Sequence, residues 1–317
     1  MSRDITDSVK GIFIILVFFS HFNSYADFTW KPDLIYNNII SLFSQTMVTM
    51  FLFYSGYGVM ESIKNKKKHY VDLMPRKRLL TTIINFDIAV CIFLILAICF
   101  NEPLTVPQVL LSLIGWDSVG NSNWYIFVIL LLYLITYIIF KIVGVDKPII
   151  SVITITSVVC ILILVCALWK IKPLYWYDTA LCYCLGMFYS IVRERFDRIL
   201  NRNVGIWLVA LCFSFCTFIA LRLFTNSSVF VLVQNIIFAA VVLIITMRVS
   251  PNNKLLRWCG NNLFGLYILQ RIPMIVFSKI GLAEWNLYIY FVCCVAVTVV
   301  IVIPFNKLTN IISKKLT

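Results

Sequence analysis

Ten stretches of apolar residues, each close to the length of a membrane-crossing helix, punctuate this chain and constrain its fold more than any other feature. They fall at residues 8–25, 36–60, 79–100, 123–141, 148–168, 178–192, 204–223, 228–248, 261–279 and 285–305. A helix needs about 20 apolar residues to span a bilayer, or a few fewer with suitable flanks. The sequence is 61% hydrophobic and only 13% charged, too little charge to clothe a water-soluble surface. With a mean hydropathy of +0.94, lipid is the expected solvent. The expected fold class is an all-α integral membrane protein, a bundle of about ten transmembrane helices in a single domain over residues 1–317. The run 103–115 is too short to span and is expected to lie in the outer interface or dip back into the bundle.

The placement of charge tests this layout. Cytoplasmic loops carry the excess of Lys and Arg. Taking alternate loops, one side holds 21 of the 27 basic residues, seven of them between Lys64 and Arg78; the other holds five, and Arg271 lies inside the ninth run. A missed span would break this alternation, so the split predicts a multi-pass protein of the cell membrane with both termini cytoplasmic. The first run lacks a small-residue cleavage site and reads as a retained helix. The same rule accounts for the net charge of +13, so nucleic acid is not an expected partner. Ten of the eleven cysteines lie in apolar runs. Cys182 and Cys184, one residue apart with no histidine beside them, have poor zinc-ligand spacing, and no metal is implied.

Ionisable residues inside membrane spans are functional candidates by default. The chain has two histidines. His69 follows three lysines in a basic loop and reads as a solvated residue. His21 lies eleven residues after Lys10, about 16 Å along a helix, which puts Lys10 near the cytoplasmic boundary and His21 in the outer half of the bilayer. Two readings of His21 stand side by side: an interfacial ring bonded to Asn23 or water, and a catalytic imidazole.

The segment Asp7 to His21, DSVKGIFIILVFFSH, resembles the opening helix of acyltransferase family 3, multipass enzymes that acylate bacterial glycans. In that family a basic residue, then Gly, precedes a His by ten intervening residues, as Lys10, Gly11 and His21 do here. Further elements agree in order: the aromatic run Phe51 to Tyr57 with Ser55-Gly56-Tyr57, basic Arg76-Lys77-Arg78, Asn123-Trp124-Tyr125 with Tyr133, Leu185-Gly186-Met187, and Phe264 to Leu269 with Tyr267. Two departures stand out. Many members carry a histidine where this chain has Gln270, and the basic pair here is Arg-x-Arg rather than Arg-x-x-Arg.

The resemblance implies an O-acyltransferase, an O-acetyltransferase foremost, that moves an acyl group from cytoplasmic acyl-CoA, acetyl-CoA above all, to a hydroxyl of a cell-envelope saccharide or exopolysaccharide. Acyl-CoA would be a donor substrate rather than a bound cofactor, and the lipid bilayer and the glycan acceptor are the other partners. His21 would act as base or as acyl carrier, since imidazole suits proton transfer at neutral pH. Asn23, Asp27 and Asp178 are candidates to orient it. Lys10, Arg76 and Arg78 would contact donor phosphates, with snorkelling and positive-inside anchoring as their plain alternatives. Trp124, Tyr125 and Tyr267 would line an acceptor pocket, as would Ser55 and Tyr57, which equally suit close helix packing. Asp87 is expected to pair with Arg78 or line a cavity. The rival reading is a transporter or flippase exporting a glycan or lipid-linked precursor, which also needs polar residues at depth.

Overall fold

A computed structural model describes residues 2–26, 31–43, 45–224 and 227–316. Helix is the only regular secondary structure among the described residues. The α-helices are α1 (Arg3–Phe22), α2 (Lys31–Phe43), α3 (Thr46–Met74), α4 (Thr81–Cys99), α5 (Val106–Leu113), α6 (Trp124–Val143), α7 (Pro148–Leu168), α8 (Ala180–Asn201), α9 (Val204–Phe224), α10 (Ser228–Thr246), α11 (Lys254–Asn261), α12 (Leu263–Leu269), α13 (Arg271–Lys279), α14 (Leu282–Trp285) and α15 (Leu287–Leu316). Local sequence sets several starts. Pro148 opens α7 at a position where no N–H is needed, and Thr105 caps α5 by accepting from the Gln108 amide at 3.3 Å.

Seven helical stretches among the described residues are long and apolar enough to cross a membrane, which makes the chain a multipass membrane protein. The expected ten is not reached by this criterion, for three local reasons. The stretch Thr46–Cys99 counts once over 54 residues, although it holds the greater part of two expected runs with the basic segment between them; the first part of the run 36–60 lies in α2. The stretch bends at Lys67, whose φ is 48°, and passes through a π-helical turn at Pro75–Leu80. The run 178–192 forms the apolar half of α8, whose other half carries Arg193, Glu194, Arg195, Asp197 and Arg198. The run 261–279 is broken at Gln270 into α12 and α13, each shorter than 10 residues. Pro273 explains that break: it offers no N–H to the carbonyl four residues back and its ring crowds Leu269. The short run 103–115 folds as α5, only eight residues long.

The contacts divide the chain into two compact units. The first contains residues 1–6, 48–75 and 131–253. In it α3 and α8 approach closely through reciprocal glycines: a Cβ on Gly56 would strike the carbonyl of Tyr183, and one on Gly186 the carbonyl of Phe53. Small residues at such crossings let backbones meet where lipid supplies no hydrophobic drive. A polar network joins the same two helices. Ser190 donates to Glu61 at 2.6 Å, Lys64 donates to both Glu61 (3.0 Å) and the Ser190 carbonyl (2.8 Å), and Arg193 donates to the Tyr57 hydroxyl at 2.7 Å.

The second unit contains residues 7–47, 76–130 and 254–317. Here α1 and α11 repeat the reciprocal-glycine contact, with Gly11 facing the carbonyl of Leu256 and Gly260 that of Asp7. At the other end of α1, Phe22 is buried with Met274, Tyr290 and Cys294. The Tyr290 hydroxyl donates to the Met274 carbonyl at 2.9 Å, tying α15 to α13. Tyr36 of α2 donates to the Phe19 carbonyl at 3.0 Å. Phe22 is thus fixed on one side and Phe19 on another, and the residue before Phe22 is His21.

Candidate active site

His21 sits one residue before the close of α1, half-buried, with its ring against residues of α12 and the break that follows it. The Gln270 side-chain nitrogen lies 3.0 Å from His21 Nδ1 and 3.1 Å from the Tyr267 carbonyl. Gln270 is almost fully buried, and its Oε1 has no partner among the described residues. The Tyr267 ring lies 6.1 Å from the imidazole and 5.4 Å from Tyr125, centroid to centroid. Histidine, Gln270 and the two tyrosines thus form one contiguous cluster inside the second unit.

Arg271 extends the cluster. Its Nε donates to the Tyr25 hydroxyl at 2.9 Å, its Nη1 lies 3.4 Å from the Asn121 carbonyl, and its guanidinium rides over the Tyr25 ring at 5.5 Å. The loop before α6 is shaped to present that carbonyl. Ser118 donates to the Asn121 backbone oxygen at 2.7 Å, the Asn121 side chain accepts from Val119 N–H at 3.1 Å, and Gly120 takes a φ of 106°, open only to glycine without strain. Asn121 is buried, and its side-chain nitrogen has no partner among the described residues. Beside Tyr25 and Gly120 lies a cavity of about 320 Å³, walled by Phe93, Ala97 and Ile275 and bordered by the Lys279–Glu102 ion pair.

The other expected site residues fall as follows. Trp124 and Tyr125 begin α6, with Tyr125 buried against Tyr267 and Trp124 edge-on to Tyr125. Asn23 does not reach His21; it donates to Asn37 at 2.7 Å. Asp27 lies outside the described residues. Asp178 belongs to the first unit, where its carbonyl accepts from Asn235 at 3.0 Å and its carboxylate is buried. Ser55 and Tyr57 are also in the first unit, flanking the Gly56 contact, with Tyr57 bonded to Arg193. Lys10 is paired with Asp7 one turn earlier at 3.3 Å. Arg76 is exposed and Arg78 half-buried in the π-helical turn. Two positions apart on a helix, they leave it on nearly opposite sides rather than as a clamp. Asp87 makes no pair with Arg78; one of its oxygens is buried without a partner among the described residues.

Sequence reasoning noted Gln270 as a departure from the family and Arg271 as a basic residue inside the ninth run without giving either a part in the site, and passed over Asn121. The available signal was the adjacent polar pair Gln270-Arg271 in the middle of an apolar run, two residues before a proline.

The architecture and this cluster define a multipass helical membrane protein with a histidine held among polar and aromatic side chains. The sequence profile of acyltransferase family 3, described as an acyltransferase domain, matches residues 5–306, and the chain belongs to that family. It is a membrane acyltransferase, which decides against the transporter reading. No curated protein and no solved structure matches the chain significantly.

Proposed function

We propose that this acyltransferase moves an acyl group, acetyl foremost, from cytoplasmic acyl-CoA to a hydroxyl of a cell-envelope saccharide, with His21 handling the proton. The observation that carries this reading is the setting of His21. It is half-buried among Gln270, Tyr267 and Arg271, whereas the chain's other histidine, His69, is exposed in a basic stretch. In the reaction the acceptor oxygen bonds to the thioester carbonyl carbon, the C–S bond breaks, and CoA leaves as thiolate. The hydroxyl proton passes to the imidazole and from there to the thiolate sulfur, so the ring ends as it began. The buried polar atoms of Gln270 and Asn121 that lack partners favour an acceptor rich in hydroxyls, since such atoms are costly in a membrane interior unless a substrate or water meets them.

Lys10, Arg76 and Arg78 serve the donor phosphates in this reading, and Trp124, Tyr125 and Tyr267 line the acceptor's side, with Asn23 as a supporting residue of the same unit. The ten apolar runs cross a cell membrane ten times with both termini in the cytoplasm, and both units work as one acyltransferase domain; the 21-to-5 division of basic residues supports that topology. The test is a purified, detergent-solubilised preparation given acetyl-CoA and envelope saccharide. Release of free CoA thiol in step with an ester on the saccharide is expected. Thiol release that does not depend on the saccharide would contradict the assigned acceptor.

A further inference from the structure

The contact between Gln270 and His21 fixes more than the ring's position. A carbonyl oxygen can only accept a hydrogen bond, so the amide atom 3.1 Å from the Tyr267 carbonyl must be the nitrogen of Gln270. That same nitrogen lies 3.0 Å from His21 Nδ1. An amide NH2 has two hydrogens, one for each of these acceptors, and no lone pair to offer the ring. His21 Nδ1 must therefore accept, and a neutral ring then carries its hydrogen on Nε2. Turning the amide over would set Oε1 against the Tyr267 carbonyl, oxygen to oxygen. Burial of Gln270 keeps water from substituting for either contact. No described residue takes up Nε2, which leaves it the nitrogen open to a substrate.

We infer that Gln270 is a positioning residue that selects the tautomer of His21, holding the resting imidazole as a hydrogen-bond donor at Nε2. The consequence for chemistry rests on the catalytic reading of His21 given above. A ring in this state is ready to donate to the thioester carbonyl, and not yet ready to take the acceptor's proton at the same nitrogen. Taking that proton at Nε2 requires the hydrogen to sit on Nδ1, with an oxygen of residue 270 accepting it. Gln270 opposes that state, because bringing Oε1 to Nδ1 also sets it against the Tyr267 carbonyl. To serve as base the ring must first release its Nε2 hydrogen to water and take one up from water at Nδ1, so carbonyl polarisation precedes proton removal.

Two histidines in the chain make the tautomer directly measurable. The protein is labelled with ¹⁵N in histidine rings and glutamine side chains, in a His69→Gln background that leaves His21 as the only ring. At neutral pH the expected spectrum has an unprotonated Nδ1, a protonated Nε2, and a scalar coupling between Nδ1 and one glutamine side-chain nitrogen across the N–H···N bond. Gln270→Glu, which offers only acceptors, should move the hydrogen to Nδ1 and abolish that coupling. A wild-type Nδ1 that carries the hydrogen, or a Nδ1 left unprotonated in Gln270→Glu, would overturn the inference. The wild-type spectrum decides alone if the variant does not fold. Neither readout involves turnover, so a catalytically idle His21 would fail the acylation assay while leaving these spectra as described.

Discussion

The Gln270 amide reaches His21 Nδ1 at 3.0 Å across 249 positions of sequence, and it does so from the point where a would-be membrane helix breaks into two. Pro273 withholds an N–H from the Leu269 carbonyl at that point, and so bears on how Gln270 meets the imidazole. Pro273→Ala restores that N–H and allows α12 and α13 to join through residue 270. Acyl transfer is expected to fall by about 10²-fold, the usual cost of an approximately 1 Å misplacement of a reacting group. Thermal stability should not fall, because alanine suits a helix interior better than proline by about 3 kcal/mol. Wild-type transfer in Pro273→Ala, at matched membrane levels, would show that the break does not serve the site.

The reciprocal glycines predict a stability pattern that no activity assay would reveal. In Gly260→Ala the new methyl meets the Asp7 carbonyl, and two helix backbones must separate to admit it. The expected loss is about 1–3 kcal/mol, read as a lowered unfolding midpoint in detergent. Gly58→Ala is the matched control, on a helix and with open space around the new methyl; it should be neutral or slightly stabilising, by about 0.5–1 kcal/mol. Equal midpoints for the two variants would refute the close-contact account.

Topology is open to direct test with reporter fusions. Fusions after residues 70 and 200 should report the cytoplasm, and one near residue 117 the exterior, in line with the basic-residue imbalance. An external signal at residue 70 would invert the orientation and remove Arg76 and Arg78 from the donor side.

Those two arginines are assigned to phosphates of the donor, so replacing both with Gln should weaken apparent affinity for acyl-CoA more than for the acceptor. A loss of about 1.5–3 kcal/mol per charge-assisted bond, tenfold or more in affinity, is the expected scale. Unchanged donor affinity in well-folded protein would return both to a purely topological role. Their divergence within the π-helical turn predicts that the single variants act independently.

Much of the fold was legible because lipid imposes length and apolarity on every crossing. The first, fourth, fifth, seventh, eighth and tenth runs each coincide with a helix of the structure. What could not be read were departures from continuity. Nothing in the composition of 36–60 announced that α2 would close at Phe43 and α3 reopen at Thr46. Nor did an apolar run at 178–192 reveal that its helix continues to Asn201 through charged residues held by Tyr57 and Asp197. The contact of Gln270 with His21 escaped notice for a different reason: contacts between residues 249 apart leave no local pattern, and depth alone made Asn23 look nearer than it is. Ser55 and Tyr57 illustrate the converse. Their motif was visible, yet the structure places beside it a backbone contact at Gly56 and an arginine bond, both of which suit packing.

Whether His21 does chemistry is decided by substitution with glutamine, since Gln keeps much of the volume and hydrogen bonding of His but takes up no proton at neutral pH. Mass spectrometry of envelope saccharide from cells carrying wild-type, His21→Gln and His21→Ala protein at matched membrane levels reads acylation at its product. A catalytic His21 means loss of acylation in both variants, by about 10²–10⁴ in rate, with insertion and expression intact; wild-type acylation by His21→Gln would show that the ring does no chemistry.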